Sequence, residues 1–300
     1  MTARRVALLA LVALVGAVAG VYLASGAKRH PDTVASARRM LDGPVTAPRP
    51  HRRIDRRVPG ASRPEAVPIL MYHVIAPPLP GAPYPGLYVP PREFDAQMQA
   101  LARAGYHAVT LDEVRRSWHG GASLPPHPIV VSFDNGYRTQ FTEAFPELKR
   151  LGWVGDENLQ LSGLPPSQGG LLHRDVRALV RAGWELDTQG YSHADLTSLD
   201  AAELRYQVAV ARVTIQRLYH VRADWFCYPS GRYDPVVVAA VRRAGYVGAT
   251  TVAPGWAEPD GDPYRLPRLR VLGGTTPAGL IGLIAATRDE PRPPTSYRAA

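Results

Sequence analysis

The residues best able to do chemistry in this chain of 300 residues lie in two short segments. Ser132-Phe133-Asp134-Asn135-Gly136-Tyr137 ends the apolar run Ile129-Val130-Val131, and Gln189-Gly190-Tyr191-Ser192-His193 follows later. A strand that stops at a carboxylate and a glycine ahead of a helix presents polar groups at the mouth of an α/β fold, where such folds keep their chemistry. A strong metal site there would want a second carboxylate and a pair of histidines. This chain instead offers the neutral amides of Asn135 and Gln189 and the single His193.

The elements that must hold these residues are legible from residue 67 onward, where short apolar runs of strand length alternate with stretches of helical period. Arg103-Ala104-Gly105-Tyr106, Arg150-Leu151-Gly152-Trp153, Arg181-Ala182-Gly183-Trp184 and Arg243-Ala244-Gly245-Tyr246 repeat one junction. Each puts a basic residue in a last helical turn, a glycine at the cap and an aromatic after it. Four such helix-to-strand turns predict a parallel sheet. Strands are expected at 67–72, 107–110, 129–133, 184–187, 225–228, 247–251 and 269–271, and helices at 92–104, 138–151, 174–182, 201–218, 235–244 and 277–286. The fold class this predicts is a single α/β domain over 67–288, a β/α barrel of about seven strands, complete or distorted. A tail at 289–300 is expected to be disordered. Residues 77–91 carry seven prolines with Tyr84 and Tyr88, which suits either a stiff aromatic rim or a long connector.

Composition narrows the function classes. Formal charge is +9, but residues 1–67 hold twelve basic against four acidic residues, so the folded part is nearly neutral. A basic stretch without interleaved aromatics outside the fold argues against nucleic-acid binding. Arg4-Arg5 precede an unbroken apolar stretch of 22 residues at 6–27. That length crosses a bilayer as a helix, while Ser25-Gly26-Ala27 also suits a signal-peptide cleavage site. Segment 1–27 is therefore read as a membrane anchor or signal peptide, and the Arg/Pro-rich 28–66 as a disordered linker, placing the domain on the extracytoplasmic face of the cell membrane or in the medium. Cys227 is the only cysteine, so no intrachain disulfide supports the fold.

Five collinear segments resemble the polysaccharide deacetylases with a NodB-like domain, carbohydrate esterase family 4. They are Val67-Pro68-Ile69-Leu70-Met71-Tyr72-His73, the strand ending at Asp134-Asn135-Gly136-Tyr137, Gly183-Trp184-Glu185-Leu186 leading to Ser192-His193-Ala194-Asp195-Leu196, Phe226-Cys227-Tyr228-Pro229-Ser230-Gly231-Arg232-Tyr233, and Asp262-Pro263-Tyr264-Arg265-Leu266-Pro267-Arg268. The resemblance implies removal of N-acetyl groups from a glycan by a zinc or other divalent metal site with a carboxylate base. Mapped by it, Asp134 matches the base, Asn135, Gln189 and His193 fall at the metal ligands, and His73 is the candidate acid in place of a late histidine the chain lacks. Two of the three ligands are thus substituted, which weakens metal binding. Tyr137, Tyr228, Pro229 and Arg232 are expected to line the substrate groove. Where some relatives carry a basic residue that pairs with the aspartate, this chain has Cys227, and Arg232 or Arg268 could take over. Asp156 and Glu157, in a stretch whose strand character is uncertain, are expected to be loop acids, and His173 a solvated helix cap.

Two functions follow. One is an exported deacetylase-like hydrolase acting on the N-acetyl groups of a cell-wall or extracellular polysaccharide. The other is a glycan-binding relative that kept the fold and lost the metal.

Overall fold

The computed structural model describes residues 65–164 and 169–298. The expected anchor or signal segment and almost all of the linker lie outside them. Among the described residues no helix is long and apolar enough to cross a membrane.

In chain order the elements are β1 (Val67–Tyr72), α1 (Pro91–Arg103), β2 (His107–Ala108), α2 (Leu111–Trp118), β3 (Pro128–Asn135), α3 (Phe145–Arg150), β4 (Asp156–Leu159), α4 (His173–Arg181), β5 (Glu185–Thr188), α5 (Ala201–Arg205), α6 (Ala211–Tyr219), β6 (Trp225–Cys227), α7 (Pro235–Arg243), β7 (Gly248–Thr250), β8 (Trp256–Ala257), β9 (Leu269–Arg270) and α8 (Pro277–Ala286). The strands run β7-β6-β5-β4-β3-β1 in parallel, with β2 on the start of β3, and with β9 parallel and β8 antiparallel on β1. The sheet curls until its ends meet. Thr251 N donates to Leu266 O at 2.8 Å and Leu266 N to Ala249 O at 2.9 Å, just before the chain enters β9. This barrel-like curl is the expected fold class.

Both long central strands, β1 and β3, are buried at every residue, as their near-continuous apolar sequences require of parallel strands covered on two faces. Their outward side chains Leu70, Tyr72, Val131 and Phe133 pack under α1 and α8 with Phe94, Met98, Leu101, Leu280 and Ile284. Ile69, Val130 and Trp225 fill a separate apolar layer with Leu111 and Val114. The four repeated junctions behave as read: Gly105, Gly152, Gly183 and Gly245 take φ of 84, 69, 95 and 86°, and Tyr106, Trp153 and Trp184 donate back to Leu101, Leu148 and Leu179.

The departures are informative. Asp156-Glu157-Asn158-Leu159 is not a loop but β4, wholly buried between β3 and β5, because pairing on both edges outweighs a poor strand composition. α2 was not foreseen. Its entry is a capping box in which Glu113 N donates to Thr110 Oγ1 at 3.2 Å and Thr110 N to Glu113 Oε2 at 3.0 Å. The expected helix at 138–151 begins with a π-helical turn, Gln140–Ala144, ahead of Pro146, which cannot continue an α-helical ladder. A second such turn, Tyr206–Val210, interrupts 201–218. The tail expected to be disordered is placed to residue 298: Tyr297 and Tyr233 exchange backbone bonds at 2.8 and 2.9 Å, and Arg298 pairs with Asp234.

Candidate active site

Because side chains alternate along a strand, Met71, Ser132, Asp134, Asp156, Asn158, Glu185, Asp187, Cys227, Arg268 and Arg270 share the inner side of the curl. At the carboxyl end of β3 the centre of this set is Asp134, almost fully buried. Arg268 grips it with both guanidinium arms, Nη1 to Oδ1 at 2.7 Å and Nη2 to Oδ2 at 2.8 Å. The other three guanidinium donors are also used, on Thr251 O at 2.9 Å, Ser132 Oγ at 3.2 Å and Cys227 Sγ at 3.2 Å. All five Arg268 donors are satisfied inside the barrel, which lets a charge sit there. Asn158 Nδ2 adds a bond to Oδ1 at 3.0 Å and Gln189 Nε2 one to Oδ2 at 3.3 Å. Burial works to raise the Asp134 carboxyl, but the Arg268 charge and its hydrogen bonds win and hold it down to about 2.

The histidines stand close by. His73 Nε2 is 3.9 Å from Asp134 Oδ2, outside hydrogen-bond range, and its Nδ1 is buried without a partner among the described residues. Burial, aided by the charges of Arg270 and Arg268, lowers His73 to about 4 against the pull of Asp134, so the ring is neutral at physiological pH. Burial also lowers His193, which lies in the field of Asp134. Gln140 Nε2 donates to the carbonyls of both His73 and Asp134 at 2.8 Å, tying the ends of β1 and β3 together. Gln207, in the second π-helical turn, accepts from Tyr191 N at 3.1 Å and Ser192 N at 2.9 Å and donates to Ser192 Oγ, which fixes the turn ahead of His193. Asn135 and His193 have φ of 78 and 56°, a left-handed backbone that a histidine adopts only when its surroundings impose it.

A divalent metal does not fit this set. Among the described residues no three His, Cys, Asp or Glu side chains are arranged to hold one. Asn135 and Gln189 bring no charge, Gln189 turns its amide nitrogen to Asp134 and leaves Oε1 buried and unpartnered, and the one nearby carboxylate is already occupied by Arg268.

The remaining expected site residues divide. Arg232 is spent on Asp195 at 2.6 Å, joining the loop after β6 to the loop that carries His193. Pro229 is buried beside Gly190 in the same junction. Tyr137 is half-buried at the start of the chain's return toward α3. Tyr228 is not brought to the pocket: it is fully buried among Phe226, Tyr233 and Tyr246, with its hydroxyl on Tyr264 O at 3.0 Å. Of the two arginines considered as partner to Asp134 it is Arg268 that pairs. Cys227 is a buried thiol that burial pushes up to about 12, hence inert. His173 starts α4 as expected and bonds Tyr219 Oη at 2.7 Å. Asn158, Gln140 and Arg270 were not singled out. Asn158 could have been found once β4 was accepted as a strand, since it pairs with Asp134 in register.

A buried carboxylate and two histidines at the carboxyl ends of a curled parallel sheet define a barrel-type domain with a polar cluster at its mouth. Residues 121–249 match the family model for polysaccharide deacetylase, so the chain carries a polysaccharide deacetylase domain over that stretch, in line with the resemblance of its five motifs. It is 26% identical over 212 residues, 71% of this chain and 74% of the other, to YxkH of Bacillus subtilis, which bears a provisional polysaccharide deacetylase name. A stretch of 57 residues, 19% of this chain and 8% of the other, is 35% identical to the poly-beta-1,6-N-acetyl-D-glucosamine N-deacetylase of Escherichia coli K12. Among solved structures the deacetylase PplD of Streptococcus pyogenes superposes with a TM-score of 0.67 at 24% identity, over 73% of this chain and 98% of that one, a likeness of fold.

Proposed function

We propose that this chain acts on an N-acetylated polysaccharide at the pocket around Asp134, as a deacetylase of its family, on the extracytoplasmic side of the membrane. The observation that carries the reading is the approach of Gln189 and His73 to Asp134, with His193 in its field, from separate strand ends. The names borne by the Bacillus and Escherichia relatives support the substrate class, and the apolar stretch at 6–27 supports export.

A second reading, glycan binding without turnover, is favoured by the state of Asp134. Both arms of Arg268 and the amides of Asn158 and Gln189 already donate to its two oxygens, and a carboxylate held down to about 2 is a poor base at neutral pH. Acetate release from N-acetylglucosamine oligomers by the full chain, with chelator and with added zinc, separates the two. Release by the native chain that disappears in Asp134→Asn establishes the first. Binding without release, with release appearing in Asn135→Asp/Gln189→His only when zinc is added, establishes the second.

A further inference from the structure

Arg270 stands at the same mouth and has no role in either reading. It lies two residues beyond Arg268 on the same side of β9, paired in register with Met71, two residues before His73. It is half-buried, and its side chain makes no ion pair or hydrogen bond among the described residues; its Nε is buried without a partner. The one carboxylate in whose field it lies is Asp134, and that group is already held bidentately by Arg268.

The charges at the mouth therefore do not cancel. Arg268 and Asp134 neutralise one another. Asn135 and Gln189 are amides and bring no charge to the mouth. Arg270 is left without a counter-ion of its own among the described residues. A partly desolvated guanidinium without a counter-ion is a point at which an anion can bind. His73, at the end of β1, has its ring in the field of Arg270.

We propose that Arg270 binds a carboxylate of the ligand, so that the polysaccharide recognised here carries acidic sugars, bearing a uronic or lactyl ether carboxylate, beside its acetamido groups. The proposal rests on the glycan reading above and names the class of glycan. The planar guanidinium matches a carboxylate with two parallel hydrogen bonds, and a partly desolvated pair of this kind discriminates against a neutral analogue by about tenfold to a hundredfold.

The test is calorimetric titration of the full chain with three probes: a neutral N-acetylglucosamine oligomer, an oligomer of equal length in which alternate sugars carry a carboxylate, and acetate alone. The expected result is at least about tenfold tighter binding of the acidic oligomer than of the neutral one, with the ratio falling to near one in Arg270→Gln and partly kept in Arg270→Lys. Tight acetate binding that depends on Arg270 upholds the carboxylate contact and assigns it to a small anion instead of a sugar. Equal affinity of the native chain for the two oligomers overturns the proposal while leaving the glycan reading intact, and does so even if the variants fail to fold. Silence with both oligomers and with acetate overturns both.

Discussion

Replacing Arg268 with methionine tests whether the inner charge pair is as fully compensated as its geometry says. The Asp134 carboxyl is held near 2 against an ordinary 3.8, a shift of nearly two units. At about 1.4 kcal/mol per unit this is about 2 to 3 kcal/mol of stability, present above about pH 4 and lost as pH falls through 2. Methionine keeps much of the volume but leaves a buried carboxylate without its counter-ion, and it strips a donor from Thr251 O and Ser132 Oγ. The expected loss at pH 7 is therefore about 3 to 5 kcal/mol. Without the guanidinium, burial is opposed only by Asn158, Gln189 and His73, so Asp134 is no longer held low and the variant takes up a proton on acidification. Urea unfolding of native chain, Arg268→Met, Asp134→Asn and the double variant should show a smaller loss at pH 4 than at pH 7, and the double variant should be more stable than Arg268→Met alone. A loss under about 1 kcal/mol at pH 7, or one equal at both pH values with unchanged urea slopes, refutes the argument.

Three other outcomes are expected. Burial and repulsion from neighbouring acids raise Asp156, Glu185 and Asp187 well above the usual carboxylate range, so the folded chain holds protons the unfolded chain has released. Stability should then fall as pH rises from about 4, and Asp156→Asn, which keeps an acceptor for Leu111 N, should flatten the fall in a thermal-melt series. Gly231→Ala places a methyl 2.2 Å from Val252 Cγ2 at a φ of 70° and should cost about 2 kcal/mol or more in chemical denaturation, through the loop that carries Pro229 and Arg232. Trp184→Ala removes the ring stacked on Phe133 at 5.1 Å and lying against Gly155, and should cost about 3 to 5 kcal/mol by the same measurement.

What could be read without coordinates follows the strength of local physics. The glycine-aromatic junctions announced a parallel sheet because a left-handed cap before a strand is a local event with its own residue code. β4 escaped because Asp156, Glu157 and Asn158 are strand residues only by virtue of neighbours on both sides. The same blindness applied to the site. Asp134 and His193 were visible as strand-end chemistry, and Asn135 and Gln189 as substitutions within it. That Arg268 and not Arg232 holds Asp134, and that Arg270 is left unmatched, depends on which side of β9 each side chain takes and on what lies across the barrel from it. Tyr228 went astray for a like reason: alternation after β6 sends it outward into the helix layer.

The closure of the curl through Leu266 and β9 makes the pocket the product of the chain's two extremes. The guanidinium arrives 134 residues after the carboxylate it neutralises, on a strand that can dock only once β1 is waiting for it. Contacts between such distant stretches form late, after most loop entropy has been spent. A ribosome-bound chain ending before Arg268 thus lacks the counter-charge of Asp134, and the inner charge pair is completed only when the last strand has zipped the two edges together.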